Sequence, residues 1–336
     1  MKVKKLLSLL VVLVLVVAMA ACAPAETTPS DSPSAPSTPP ASAPETPDAS
    51  DEIDTKGMTF YWIGKVMGGT YWTGVETGLQ AACDELGITL NMQGLDRETD
   101  VERQISLLQD AVTAQPDAIL IAPCDSQALD TPVKEAFKNA NCPIVLVDTR
   151  IATQTEGFTA AILTNNFEAG RTCAKLMAEN LKAKGVTEGV IGVDVASTGS
   201  QTVIDRLDGF RDYWENDADL PDVKVLWEEI KVDDADHTKT ISNTKDLMTA
   251  HPNLVGMFGG TGTSVSIGTA MKESNRKDIV VIGMDFNVDS YNHIRDGWMQ
   301  GSCAQRTYVM GYEGVMLAVK AIKGEEIPEL FIDSGL

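Results

Sequence analysis

"PDAILIAPCDSQALDTPVKEAFKNANCPIVLVDTR", Pro116 to Arg150, holds two short apolar runs with an amphipathic stretch between them. The runs, 118–122 and 143–147, are apolar at consecutive rather than alternate positions, the pattern of strands buried on both faces. Pro116 and Pro143 stand just before them, where a helix must have ended, because a proline disfavours helical backbone in the residue ahead of it. The stretch between, 126–140, reads as a helix. A strand, a helix and a strand in succession ask for a crossover connection and a parallel sheet.

The same alternation runs outward in both directions. Upstream lie strands at 58–64 and 88–93 with helices at 71–86 and 99–115, and Gly87 stands where a helix C-cap would. A strand at 158–163 closes this first set. A second set follows, with strands near 189–195, 223–231, 254–258, 279–284 and 301–305. Helices near 167–184, 201–216, 237–250, 263–274 and 288–296 alternate with them. Two consecutive sets predict an α/β protein of two lobes, each built on a parallel sheet. A last helix, 308–322, and a short strand, 328–332, are placed to return to the first lobe. Two lobes joined by several segments make a hinged cleft, a favoured place for a ligand.

The amino-terminal end is of another kind. Lys2, Lys4 and Lys5 precede an apolar stretch, Leu6 to Val17, of signal-peptide length and short for a bilayer span. Ala20-Ala21-Cys22 then resembles a bacterial lipobox, with Met19 where that pattern prefers leucine. The expectation is a leader over residues 1–22 and a lipid on Cys22, which would hold the chain at the outer face of a membrane. Residues 23–56 are proline, serine, threonine, alanine and acidic residues with almost no large apolar side chain. They cannot offset chain entropy by burial and read as an extended tether.

About 280 residues remain, comfortable for two cores. The formal net charge of −21 argues against nucleic acid, whose phosphates need a basic face. Cys83, Cys124, Cys142, Cys173 and Cys303 are scattered, and their spacing names no disulfide framework. They read as free, mostly buried thiols. His237, His251 and His293 are isolated, with no spacing for a metal.

"GVETGLQAACDELGI", "PDAILIAPCDSQAL", "CPIVLVDTR", "DRLDGF", "LMTAHPNLVGMFGGTG" and "IVVIGMDFN", in this order and spacing, resemble the type 1 periplasmic sugar-binding proteins of ABC transporters, the ribose-, galactose- and autoinducer-binding group. The resemblance covers residues 58 to about 333. It implies two flavodoxin-like, Rossmann-like lobes closing over a small polar ligand, with crossings near Asn165, Gln305 and Phe331. The lobes would be 58–164 plus 306–331, and 165–305 plus 332–336. It also implies a further strand past Gly335. Either that strand is missing from this sequence or the hinge has two full crossings.

The resemblance assigns residues to the cleft. Tyr71 and Trp72 fall at the first strand-to-helix turn, where aromatics stack on the apolar face of a sugar. Lys65 matches a lysine of the autoinducer- and rhamnose-type branch. Its ammonium donates three hydrogen bonds. Asp148, ending "PIVLVD", and Asp285, its mirror in the second lobe, would accept from ligand hydroxyls. Arg150, Gln201 beside Ser200, Thr261 among Gly259, Gly260 and Gly262, and Gln305 complete the expected set. Arg206 is expected to brace its lobe. Ribose-type members carry an arginine where Thr149 stands and another where Ile204 stands, and asparagines at the places of Ala122 and Thr261. These departures point to a small polyol, a deoxysugar or an autoinducer-like furanose.

There is no nucleophile elbow, phosphate-binding glycine loop or paired metal ligand set. Asp148 and Asp285 superficially resemble a glycosidase pair. They come from opposing lobes, with no feature expected to raise a carboxyl's pKa. The reading is a solute-binding lipoprotein at the cell membrane, not an enzyme, needing no cofactor. It would work as a monomer and deliver a small sugar-like ligand to an ABC permease. The alternative is an input subunit for a membrane sensor kinase or chemoreceptor.

Overall fold

The computed structural model describes residues 54–336. The leader, Cys22 and residues 23–53 of the tether lie outside them. β1 (Thr59–Ile63), α1 (Thr70–Leu86), β2 (Thr89–Gln93), α2 (Val101–Ala114), β3 (Ala118–Ile121), α3 (Asp130–Asn139), β4 (Ile144–Val147) and β5 (Ala160–Leu163) build the first lobe. The chain then forms α4 (Asn166–Ala183), β6 (Glu188–Val195), α5 (Gln201–Asn216), β7 (Asp222–Val225) and β8 (Lys231–Val232). It continues through α6 (His237–Ala250), β9 (Leu254–Gly259), α7 (Ser264–Glu273), β10 (Val280–Met284), α8 (Val288–Arg295) and β11 (Gly301–Cys303). Finally α9 (Thr307–Lys323) and β12 (Phe331–Asp333) return to the first lobe.

The first sheet runs in the order β12-β5-β4-β3-β1-β2 and the second β11-β10-β9-β6-β7, with β8 beside β6. All pairings are parallel, as in Trp62 opposite Leu120 and Ile282 opposite Gly301. The order is the doubly wound one, in which ligands collect at the carboxyl ends of the strands. β3 and β4 are buried at every position, which is why both read as continuous apolar runs. Trp62, Phe60 and Leu79 centre the core of the first lobe, and Phe210 and Phe258, stacked at 4.5 Å, that of the second.

One device is used twice. A Cβ on Gly78 of α1 would collide with the Tyr308 carbonyl of α9, and one on Gly311 of α9 with the Val75 carbonyl of α1. In the second lobe Gly170 of α4 meets the Arg206 carbonyl, and Gly209 of α5 meets the Phe167 carbonyl. Each lobe therefore packs a helix pair backbone against backbone, through one glycine from each side.

Three expectations are corrected. The helix expected from 126 begins at Asp130. The Asp125 carboxylate accepts from the Gln127 and Ala128 amides at 2.9 and 2.8 Å and holds a turn ahead of it. The strand expected over 223–231 is cut by a 3₁₀ turn at Trp227–Glu229. Before the turn, the Leu226 amide still bonds Ile191. After it, β8 pairs with β6 further along. β12 pairs Ile332 and Asp333 with Ile162 and Leu163 of β5, which keeps both in the first sheet, two residues past the boundary expected at 331.

Candidate functional site

Five strands end at one cleft. Lys65 follows β1, Asp148 follows β4, Thr261 follows β9, Asp285 follows β10 and Gln305 follows β11. With Tyr71 and Trp72 of α1 they line one cavity of about 330 Å³ between the lobes. Asp148 and Asp285 share a feature. Their φ angles are 68° and 65°, left-handed at a residue with a side chain, a conformation costing on the order of 1 kcal/mol or more. Aspartate tolerates it better than most. At both strand ends the turn leaves a carboxylate in the cavity wall.

The two carboxylates are linked. Lys65 Nζ lies 3.1 Å from Asp148 Oδ2, and both side chains are buried. Tyr71 donates its hydroxyl to Asp148 Oδ1 at 2.5 Å and reaches Gln305 Oε1 at 3.4 Å. Gln305 Nε2 donates to Asp285 Oδ1 at 2.6 Å. Thr149 donates to Asp148 Oδ2 at 2.7 Å. Trp72 packs edge-on to Tyr71 at 5.0 Å and lies under the Lys65 ammonium at 5.9 Å.

The electrostatics divide the pair. Burial pushes the Asp148 carboxyl up, but the Lys65 charge and the Tyr71 and Thr149 hydroxyls outweigh it, and its pKa lies below the ordinary range. Burial also pushes Asp285 up, and there the Arg206 charge and the Gln305 amide do not reverse it. The expectation that neither carboxyl is raised is therefore corrected: Asp285 has no ammonium on it, so desolvation wins. Tyr71 is raised well above its ordinary value by burial and by both carboxylates, which keeps it a neutral donor.

Two expected residues stand elsewhere. Arg150 and Gln201 do not line the cavity. Arg150 Nη2 is 3.0 Å from Asp205 of α5, and Gln201 Nε2 donates to the same carboxylate at 2.9 Å, one helical turn along. The Gln201 amide also donates to Ser126 Oγ of the first lobe at 2.9 Å. These residues join the lobes at the rim. Further in, Thr149 Oγ1 meets Thr202 Oγ1 at 2.8 Å, Thr202 donates to the Asp148 carbonyl at 3.0 Å, and Lys65 reaches Ser200 at 3.4 Å. The lobes are thus in contact across the cleft, in a closed arrangement.

Arg206 braces its lobe as expected, with Nε on Asn166 Oδ1 at 2.8 Å and Nη1 on the Gly260 carbonyl at 3.0 Å. Its Nη2 is buried without a protein partner, and the residue lines the cavity. Thr261 also lines it, with its hydroxyl accepting from the Ala196 amide at 3.1 Å. Of the glycines beside it only Gly262 reaches the lining. Glu98, in the loop after β2, was not anticipated. It lies in the cavity wall, and burial raises its pKa. Its place after a strand of a parallel sheet is the signal that points to this loop. Phe286 stands half exposed in the lining beside Asp285.

Residues 60–326 match the family described as periplasmic binding protein domain. The ribose import binding protein RbsB of Escherichia coli is 26% identical over 260 residues, covering 76% of this chain and 82% of that protein. A carbohydrate transporter solute binding protein from Agrobacterium radiobacter, solved in complex with D-arabinose, superposes with a TM-score of 0.77 at 31% identity over 83% of this chain and 92% of that one. An ABC transporter solute binding protein from Agrobacterium vitis with bound D-fucose gives 0.76 at 30% identity over 82% and 93%. By their descriptions these relatives are binding components of transport systems rather than enzymes. A likeness that runs through both lobes at nearly full length is one of descent as well as shape, and the chain belongs to the periplasmic binding protein family.

Proposed function

We propose that this chain is the extracytoplasmic solute-binding lipoprotein of an ABC transporter, capturing a small sugar-like ligand as its lobes close. The observation that carries the reading is the pair of left-handed aspartates, one from each lobe, linked through Tyr71 and Gln305 in the wall of one cavity. Carboxylates are acceptors only and take hydroxyl pairs. Trp72 and Tyr71 supply the apolar face such a ligand needs. Lys65 and the spare Arg206 nitrogen supply donors for its oxygens. The cavity, about 330 Å³, is at the small end of ligand sites, roughly 300–1,000 Å³. The relatives' bound D-arabinose and D-fucose support a monosaccharide, deoxysugar, polyol or furanose of that size. A dissociation constant near micromolar, about 8 kcal/mol of binding, serves capture and release.

Lys65, Tyr71, Trp72, Asp148, Thr261, Asp285 and Gln305 are the proposed ligand contacts. Arg150 and Gln201 act on closure from the rim. The lobes are taken as 58–164 plus 306–333 and 165–305, and Cys22 as the lipid attachment site that keeps the chain at the membrane beside its permease. The test is a thermal-shift panel of pentoses, hexoses, deoxysugars and polyols, since a ligand stabilises in proportion to the logarithm of its concentration above Kd. A hit that is lost in Asp285→Asn supports the reading. A panel without any hit, or a hit that survives Asp285→Asn, would sink it.

A further inference from the structure

We infer that Cys173 and Cys303 are a disulfide-forming pair that staples the ligand-bearing edge of the second lobe. The sequence spacing named no bridge. The fold brings these two together: Cys173, on α4, donates its thiol to Cys303 Sγ, at the end of β11, across 3.2 Å. A disulfide is about 2.05 Å long, so closing the gap takes a movement of about 1 Å shared between two side chains. Cys83, Cys124 and Cys142 belong to the other lobe, and all five thiols are free. The family works outside the cytoplasm, where disulfides form and persist.

The surroundings favour one order of events. Cys173 is fully buried, and Cys303 is 7% exposed. The thiol of Cys173 points at the Cys303 sulfur and, with Arg206 nearby, lowers the Cys303 pKa, while its own is raised. Cys303 is therefore the attacking thiolate, since the thiolate is the nucleophile and access sets its rate. The oxidant is a small-molecule disulfide. The Cys303 thiolate attacks one of its sulfurs, forming a mixed disulfide and expelling one thiol. Cys173 loses its proton and attacks the Cys303 sulfur, forming the protein bond and expelling the second thiol. Two protein thiols are oxidised and one external disulfide is reduced to two thiols.

The bond would hold more than two sulfurs. β11 is the edge strand of its sheet. The Cys303 carbonyl accepts the Asp285 amide at 2.8 Å, and Gln305 follows two residues on. α4 begins at Asn166, whose side chain orients Arg206. A bridge between α4 and β11 ties these supports together. It closes a loop whose ends stand 130 positions apart, long enough for a large constraint on the unfolded chain.

The test uses the full chain, reduced, freed of reductant and titrated with oxidised glutathione, then acid-quenched and digested with trypsin. The expected product joins Thr172–Lys175 to Asp296–Arg306, lighter than the two peptides by two hydrogen atoms, with no glutathione retained. The melting temperature should rise by roughly 5–10 °C and return to its starting value with dithiothreitol. Cys173→Ala should instead keep glutathione on Cys303. Separate alkylation of both cysteines after oxidation, a stable glutathione adduct on the wild-type chain, or a joined product that melts lower than the reduced protein would each overturn the proposal. The wild-type peptide map decides the matter even if the variant fails to fold.

Discussion

Asp148 and Asp285 hold the same backbone conformation under opposite electrostatic loads, and substitution separates them. Asparagine tolerates the left-handed turn and removes the charge. In Asp148→Asn the Lys65 ammonium is left buried and unpaired, so the ligand-free protein should lose about 3 kcal/mol or more, seen as an earlier urea midpoint. Asp285→Asn removes a carboxylate that burial already disfavours, and apo stability at neutral pH should hold or rise slightly. Both should abolish the ligand shift. Equal stability losses would show that Lys65 does not depend on Asp148. Asp194 extends the argument to pH. Burial and a hydrogen bond to Asp233 push its carboxyl up to about 9. Its Oδ1 is buried without a partner and its Oδ2 accepts from Asn243 at 2.9 Å; a proton on this carboxyl lets it donate to Asp233. A folded pKa above the unfolded one means the native state holds the extra proton between about pH 4 and 9, so this group's contribution falls as pH rises through that window. Asp194→Asn can still take the Asn243 bond and offers Asp233 a permanent donor. The variant should gain on wild type steadily from pH 5 to pH 8 in chemical denaturation. A constant difference would refute the proton assignment.

At the scale of elements, the glycine contacts are the sharpest constraint. A methyl group on Gly209 meets the Phe167 carbonyl, and one on Gly78 the Tyr308 carbonyl. Backbone cannot yield as a side-chain tip does, so either alanine variant should lose about 1–3 kcal/mol from overpacking, although alanine is the better helix former. A gain in stability for Gly209→Ala would mean that α4 and α5 part without cost. The elements also show what the sequence could and could not disclose. β3, β4 and β10 were legible because burial on both faces writes an unbroken apolar run. The break between β7 and β8 was not: "KVLWEEIKV" contains no glycine or proline, and what bends it is pairing to β6 on either side and the Trp227 ring against Phe210 at 6.1 Å. At the site, Lys65, Asp148 and Asp285 were legible because the resemblance set them at strand ends, which a parallel sheet brings to its cleft. That Arg150 and Gln201 turn to Asp205 was not legible, because side-chain direction depends on a partner that the fold brings across the lobes.

For the whole molecule, closure is a balance between ligand contacts deep in the cleft and protein contacts at its rim. The Arg150–Asp205 pair is partly exposed, so it is a modest and salt-sensitive contributor, about 0.2–1 kcal/mol. Arg150→Ala should therefore weaken ligand binding by only a few-fold at low salt and less at high salt. Small-angle scattering should show a larger mean radius for the unliganded variant. Saturating ligand should restore the compact form, since the inner contacts remain. A loss as severe as that of Asp148→Asn would move Arg150 into the ligand shell.

The return of α9 and β12 to the first sheet also orders the protein's assembly in time. A chain that emerges amino-terminus first, from a ribosome or a translocation channel, presents β1 to β5 early, but α1 has no partner and β5 no outer neighbour until residues 307–333 arrive. The second lobe is continuous from α4 to β11 and meets no such delay. The lobe begun first is finished last, its apolar α1 face and β5 edge open meanwhile to the wrong partners. Truncation within α9 should therefore leave a protected second lobe and an unprotected first lobe in hydrogen exchange, a division that the complete chain would not show.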